Sequence, residues 1–107
     1  MNTLKSDKPS LDPFDKLIFI GNLRAKQLLL DKSLDIMVIV FNNGSLVRVR
    51  LSDYSRLWNA SASVLDKWEF MQGGIGIRWE ELDEDLSIKG FIKTAALSDA
   101  LRNLEGN

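Results

Sequence analysis

The chain has 107 residues, a formal net charge of −1, and neither histidine nor cysteine. This length fits one domain with a modest apolar core, and a net charge near zero gives no general attraction to nucleic acid or anionic lipid. Without histidine and cysteine, Ser–His and Cys–His nucleophile pairs and imidazole or thiolate metal sites are excluded.

The absence of cysteine also fits a reducing compartment. The N-terminal residues lack the apolar run of a signal peptide, and the longest apolar run, Ile36 to Phe41, is far shorter than the roughly 20 residues of a membrane span. We therefore expect a cytoplasmic protein with no membrane partner.

Residues 1–13 are polar, contain both prolines and show no hydrophobic period, which predicts a flexible N-terminal arm. We expect a single domain over residues 14–107. Its first segment, residues 23–31, is ambiguous, because its isolated propensity favours a helix while its composition also allows a strand.

The clearest pattern is a β-hairpin over residues 34–51. Ile36 to Phe41 is a β-branched run of strand length that is apolar on both faces, which predicts a central strand covered on both sides. Asn43-Gly44 predicts a tight turn between two residues that tolerate positive φ. After it, Val47, Val49 and Leu51 alternate with arginines, as in a strand with one wet face.

Short helices and one more strand follow the hairpin. Cap-type residues predict a helical turn after Ser52 and a second short helix over Val64 to Trp68. The glycine pair at positions 73 and 74 predicts a turn into a strand, in which Ile75, Ile77 and Trp79 share one side. A short terminal helix is predicted from Ser98, with leucines at positions 97, 101 and 104 on one face.

The window Gly73 to Ile88 crowds glycines, a tryptophan and five carboxylates together, but it completes no catalytic or ligand motif. Gly74-x-Gly76 lacks the third glycine of a dinucleotide fingerprint, because Trp79 occupies that position. The carboxylates lack the order and the central glycine of a calcium loop. We predict no catalytic, cofactor or metal site and therefore no enzyme.

Two other roles stay open for the acidic residues of this window. Asp83 to Asp85 could begin a helix, where negative charge complements the exposed N–H groups. Alternatively, the segment could form a contact surface for a partner protein. The residues of this candidate surface are Trp79, Glu80, Glu81, Asp83 and Asp85.

Four basic residues form a second candidate surface. If residues 24–30 are a strand beside the hairpin, these side chains could share one sheet face as a nucleic-acid-binding stripe. They are Arg24, Lys26, Arg48 and Arg50. No aromatic residue interleaves with them as a stacking platform, so nucleic acid is the alternative partner and protein the main one.

The order of these elements resembles the small bacterial DUF2442 family of unknown function. The resemblance covers about residues 23–92, and its most specific part is Ile77-Arg78-Trp79 followed by Leu82-Asp83-Glu84-Asp85-Leu86. It implies a compact α+β domain with an antiparallel sheet, and it favours a strand for residues 23–31. Family members look like small cytoplasmic proteins, and some are encoded beside another short protein in an arrangement that suggests a toxin–antitoxin-like pair.

The predicted fold is thus α+β, with a small antiparallel sheet of about four strands, the central hairpin 34–51, and short helices packed on it. The predicted function is a non-enzymatic protein-interaction or regulatory module, antitoxin-like, with a protein partner whose identity the sequence does not reveal. A homo-oligomer is also compatible with the sequence.

Overall fold

Two antiparallel sheets of three strands each, joined by short helices, make up the part of the chain that the computed structural model describes. The main chain is described for residues 11–105 and the side chains for residues 11–102, so residues 1–10 of the predicted arm lie outside the described residues. In chain order the strands are β1 (Ala25–Asp31), β2 (Ile36–Phe41), β3 (Leu46–Val49), β4 (Trp68–Met71), β5 (Gly76–Trp79) and β6 (Glu84–Ser87).

The strand order is β1-β2-β3 in the N-terminal sheet and β4-β5-β6 in the C-terminal sheet. The predicted α+β class is confirmed, as is the antiparallel pairing. Six strands are described against the predicted four or so, because the residues after the hairpin form a sheet of their own.

The helices are short except for the last one. In chain order they are α1 (Pro13–Asp15), α2 (Ser55–Trp58), α3 (Ala62–Leu65) and α4 (Ile88–Glu105), with a π-helical turn at Lys16–Ile20 and 3₁₀ turns at Leu51–Asp53 and Glu80–Leu82. Lys89 of α4 lies 3.0 Å from Asp12 and 2.9 Å from Asp15, which ties α1 to the first turn of α4. These hydrogen bonds, with that of Asp15 contributing most, raise the pKa of Lys89. Among the described residues, no helix is long and apolar enough to cross a membrane.

β1 is a strand in spite of its helix propensity, as the family resemblance implied. Its main chain pairs with β2 from Ala25–Phe41 to Asp31–Ile36, with a bulge between Ala25 and Gln27. Leu28 is buried against the core. Pairing with β2 makes this segment a strand, because tertiary contacts outweigh the few tenths of a kcal/mol by which its residues differ in helix propensity.

The hairpin of β2 and β3 is confirmed, but its turn differs from the predicted one. The Phe41 carbonyl accepts a hydrogen bond from the Gly44 N–H at 3.0 Å, and the Phe41 N–H donates to the Ser45 carbonyl at 2.8 Å. Of the loop residues only Gly44 has a positive φ, at +88°. The loop therefore has three residues with a glycine bulge, a common alternative to the two-residue turn.

The two sheets share one apolar core. Met37, Ile39 and Phe41 of β2 face it from the N-terminal sheet, and Ile77 and Trp79 of β5 face it from the C-terminal sheet. Backbone bonds join the sheets at the glycine turn and at the start of α4: Ala25 N–H to the Gly74 carbonyl, and Ile88 N–H to the Ile75 carbonyl, both 2.9 Å. The remaining buried residues are Ile18, Leu23, Ala25, Leu28, Val49, Leu51, Leu57, Ala60, Leu65, Ile88 and Phe91.

Three local predictions were wrong. Trp68 does not continue the helix before it but begins β4, where it pairs with Trp79 and its ring lies 4.9 Å from that of Phe70. Asp83 to Asp85 do not begin a helix, because they lead into β6. The last helix begins ten residues before Ser98, at Ile88, where the Ser87 hydroxyl accepts a hydrogen bond from the Gly90 N–H at 3.1 Å.

Candidate functional site

Trp79 cannot belong to a partner surface, which corrects the prediction for this residue. It points inward from β5, the central strand of the C-terminal sheet, and its side chain has no solvent exposure. Its indole Nε1–H donates a hydrogen bond to the Leu65 carbonyl at 3.0 Å. Trp79 therefore joins the core to α3, and only the carboxylates that follow it reach the surface.

These carboxylates form what we call the acidic corner, which consists of Glu80, Glu81, Asp83, Glu84 and Asp85. The corner follows β5 through a 3₁₀ turn, reverses at Asp83 with a φ of +49°, and continues into β6. A left-handed residue of this kind is tolerated better by aspartate than by most side chains. The reversal brings the carboxylates around one guanidinium.

That guanidinium belongs to Arg78, which lies opposite Asp85 in the β5–β6 register. Its Nε donates to Glu80 at 2.8 Å, its Nη2 to Asp83 at 3.2 Å, and its Nη1 to Asp85. These hydrogen bonds, with that of Glu80 contributing most, raise the pKa of Arg78 above its already high ordinary value. One cation therefore organises three of the five carboxylates.

The other two carboxylates are also paired. Lys67 lies 3.0 Å from Glu81, and Arg56 lies 3.6 Å from Glu84. Arg56 also donates to the carbonyls of Leu82 and Asp83, at 3.2 and 3.1 Å. Cations of the same chain thus balance much of the negative charge of the acidic corner. The corner presents ion pairs at the surface rather than free carboxylates. Within residues 11–102, no three His, Cys, Asp or Glu side chains are grouped so that they could hold a metal ion.

The structure does not bring the four predicted basic residues together. Arg24 precedes β1 and donates to the carbonyls of Ile18 and Leu23, at 2.6 and 2.8 Å, while Lys26 lies in the β1 bulge. Arg48 lies in β3, at the opposite edge of the sheet from β1, and Arg50 follows the end of β3.

Arg50 already has a partner in Asp35, at 3.4 Å. Hydrogen bonds from Ser52 and this arginine hold the pKa of Asp35 below its usual range, with the Ser52 hydroxyl contributing most. The predicted nucleic-acid surface is therefore two separate pairs of cations.

A surface that the sequence interpretation missed lies on the N-terminal sheet. The side chains of β2 point alternately to the two faces of the sheet. Those that point away from the core, Ile36, Val38 and Val40, are only half-buried. In the register, Val38 lies between Leu29 and Arg48, and Val40 lies between Gln27 and Leu46. Leu29 is 54% exposed and Leu46 is 61% exposed. We call this the apolar outer face, defined by Leu29, Ile36, Val38, Val40 and Leu46.

The apolar outer face corrects the prediction that β2 is covered on both sides. The apolar run in the sequence indicated that both faces of β2 carry apolar side chains. It could not indicate that only one face would receive a covering layer, because that depends on where the later helices pack. A contiguous apolar patch of this kind is typical of an interaction surface.

A groove of about 770 Å³ runs beside β3, between this edge of the N-terminal sheet and α4. All four β3 residues line one wall, and Ile92, Ala95, Asp99 and Arg102 of α4 contribute to the other. β3 is the last strand of its sheet, and α4 packs against it across this groove.

Comparison with known proteins agrees with the family resemblance. The family model described as "Protein of unknown function (DUF2442)" matches residues 31–96. The crystal structure of a protein of unknown function from Rhodospirillum rubrum is similar, with 29% identity, a TM-score of 0.59, and coverage of 67% of this chain and 87% of that one.

An uncharacterized protein from Chromobacterium violaceum, solved by NMR, has the same fold, with 21% identity, a TM-score of 0.56, and coverage of 65% of this chain and 64% of that one. No curated protein matches this chain.

Proposed function

The chain belongs to the DUF2442 family of proteins of unknown function, and from this premise and the surface of its N-terminal sheet we propose that it is a non-enzymatic protein-interaction module. The observation that carries the proposal is the apolar outer face. Five aliphatic side chains are contributed by three neighbouring strands, and the two at the edges of the sheet are more than half exposed. Covering them with a partner would remove this surface from water, which is favourable by about 25 cal/mol per Å².

The acidic corner is the weaker candidate for the same role. Its carboxylates are engaged by Arg56, Lys67 and Arg78. A partner that bound them would have to compete with these cations, and exposed ion pairs contribute little net binding energy. We therefore assign partner contact to the apolar outer face, and assign the corner the structural role of holding the turn between β5 and β6.

Affinity capture from the native cell tests both the role and the surface. We expect a protein partner to be recovered with the wild-type chain and with Glu81→Lys, but lost with Val38→Lys, which places a charge at the centre of the apolar outer face. Glu81→Lys is the matched control, because it introduces the same lysine on the acidic corner. The opposite pattern would place the partner at the acidic corner, and recovery of no partner by the wild type would contradict the proposal.

The finer role of an antitoxin-like half of a small protein pair rests on family likeness. It predicts that the protein encoded beside this chain arrests growth when it is expressed alone, and that co-expression of the wild-type chain restores growth. Val38→Lys should fail to restore it while Glu81→Lys succeeds. Normal growth with the neighbouring protein alone would rule out this role and leave the more general interaction role standing.

A further inference from the structure

The groove between β3 and α4 is continuous with the apolar outer face. Ile36 and Leu46 belong to both surfaces, since each of them also lines the groove. Leu34, which is 71% exposed, extends this apolar lining, and the small residues Ala95 and Ala96 line the α4 wall. A partner that covers the apolar outer face therefore also meets the groove.

Charged side chains of both signs line the groove in equal number. They are Arg48, Arg50, Arg102, Asp35, Asp53 and Asp99. Four of them form two ion pairs within the chain, because Arg50 lies 3.4 Å from Asp35 and Arg102 pairs with Asp99 on α4. The groove thus has no excess of positive charge, which argues against a polyanion such as nucleic acid as its occupant.

Arg48 and Asp53 are the two remaining charged groups of the groove. Both are exposed, and within residues 11–102 neither side chain forms an ion pair. Arg48 lies opposite Val38 in the register, whereas Asp53 ends the 3₁₀ turn that follows β3. One cation and one anion at different places along the groove are complementary to a segment that carries charges of both signs in a fixed order.

We propose that the groove binds a segment of a partner protein in which a carboxylate lies beside large apolar side chains and a basic residue follows farther along. The carboxylate pairs with Arg48, the apolar side chains pack on Ile36 and Leu46, and the basic residue pairs with Asp53. This binding mode rests on the proposed function and extends partner contact from the apolar outer face into the groove. Side chains make these contacts, because α4 packs against β3.

The size of the groove fits one peptide segment rather than a whole domain. Its volume of about 770 Å³ lies within the range of about 300–1,000 Å³ that is typical of ligand sites. The four residues of β3 span about 13 Å, which an extended segment of about four to six residues covers. A segment of this length buries little surface, so we expect a dissociation constant of about 1–100 μM.

Selection from a phage-displayed library of random peptides of about 12 residues, more than β3 requires, tests the proposed chemistry. The purified full-length chain should enrich peptides that carry Asp or Glu beside large aliphatic residues, at least about tenfold over the unselected library. Arg48→Glu should reverse the preference to Lys or Arg at that position, because like charges in contact oppose binding. Asp53→Lys should replace the basic residue by an acidic one for the same reason.

Lys93→Glu is the matched control, because it reverses an exposed charge of α4 that does not line the groove. It should select the same peptides as the wild type. No enrichment by the wild type, or an unchanged acidic preference with Arg48→Glu, would overturn the proposal.

Fluorescence anisotropy of one selected peptide, labelled with a fluorophore, provides the second measurement. Arg48→Glu and Leu46→Lys should each raise its dissociation constant at least about tenfold, and Lys93→Glu less than about twofold. An equal loss with Lys93→Glu and Arg48→Glu would show that general charge attracts the peptide, and it would also overturn the proposal.

The groove and the proposed function can fail separately. If capture from the native cell loses the partner with Val38→Lys but keeps it with Arg48→Glu, and no peptide is selected, the interaction role stands and the groove is not its site. If peptides are selected in a way that depends on Arg48 but no partner is captured, the groove is a peptide site and the proposed function is contradicted.

Discussion

Gly74 is the residue whose identity the fold constrains most visibly. It ends a turn in which Gln72, Gly73 and Gly74 all have positive φ, at +51°, +69° and +113°. A Cβ atom on Gly74 would lie 2.6 Å from the carbonyl oxygen of Ala25, whereas one on Gly73 would meet nothing within 4 Å. Gly74 is also where the two sheets are hydrogen-bonded to each other, through its carbonyl and the Ala25 N–H.

We expect Gly74→Ala to lower the free energy of unfolding by more than about 2 kcal/mol, because it combines backbone strain with a clash against main-chain atoms that cannot move away independently. Gly73→Ala should cost about 1 kcal/mol, since it adds the strain alone. Urea unfolding of the two variants and the wild type measures the difference. Equal losses would show that the contact with Ala25 relaxes at no cost.

The glycine pair was recognisable in the sequence as a turn, because glycine tolerates positive φ at little steric cost. The distinction between the two glycines was not recognisable, since it depends on β1, about fifty residues earlier in the chain. Gly73 is needed only because the backbone has a positive φ there. Gly74 is needed for the same reason and also because β1 of the other sheet lies too close for a Cβ atom.

At the scale of elements, the acidic corner shows how a charged segment can be structural. The turn between β5 and β6 contains a left-handed residue, Asp83, and a single apolar residue, Leu82, which packs against the core. Arg78 reaches from β5 to three carboxylates and thereby fixes the turn. A network around one guanidinium is more effective than the same number of isolated surface pairs.

We expect Arg78→Met to lower the melting temperature, because it leaves Glu80, Asp83 and Asp85 to repel one another. The loss should shrink as salt is raised from about 20 mM to 1 M, since the Debye length falls below the spacing of the charges. Arg102→Met is the control, because it removes one exposed i,i+3 pair with Asp99 on α4. Thermal unfolding by circular dichroism at the two salt concentrations reports both variants, and a salt-independent loss would indicate packing of the arginine stem instead.

The last helix illustrates where element prediction from sequence stops. The spacing of leucines from position 97 onward suggested an apolar stripe and a helix beginning at Ser98. In the structure Leu97 and Leu101 are more than half exposed, and the side of α4 that enters the core is formed by Ile88 and Phe91. The periodic pattern identified a helix correctly, but the capping residue Ser87 decided where it begins.

At the scale of the whole molecule, the two sheets should behave as one cooperative unit. Each contributes side chains to the same core, and the joining hydrogen bonds involve residues at the start of β1 and the start of α4. Neither three-stranded sheet has a second apolar layer of its own. Small sheets of this kind depend on packing for independent stability.

We therefore expect a single two-state unfolding transition. Two of the three tryptophans, Trp68 and Trp79, lie in the C-terminal sheet, and the third, Trp58, lies in α2. Tryptophan fluorescence therefore reports on the C-terminal sheet and on α2, whereas far-ultraviolet circular dichroism reports on both sheets. The two probes should give coincident curves, with an unfolding enthalpy of about 60–80 kcal/mol at the midpoint. Separate midpoints would show that the sheets unfold independently.

The sequence by itself determined the hairpin of β2 and β3, strand β5 and the family. These follow from patterns of a few neighbouring residues, such as alternation in a strand or glycine in a turn, whose steric requirements are local. Only the tertiary structure decided that Trp79 is buried, that Arg78 gathers the carboxylates of the acidic corner, and that the apolar outer face of β2 has exposed leucines on either side. Each of these depends on which distant element packs against the residue, and local chemistry does not specify that choice.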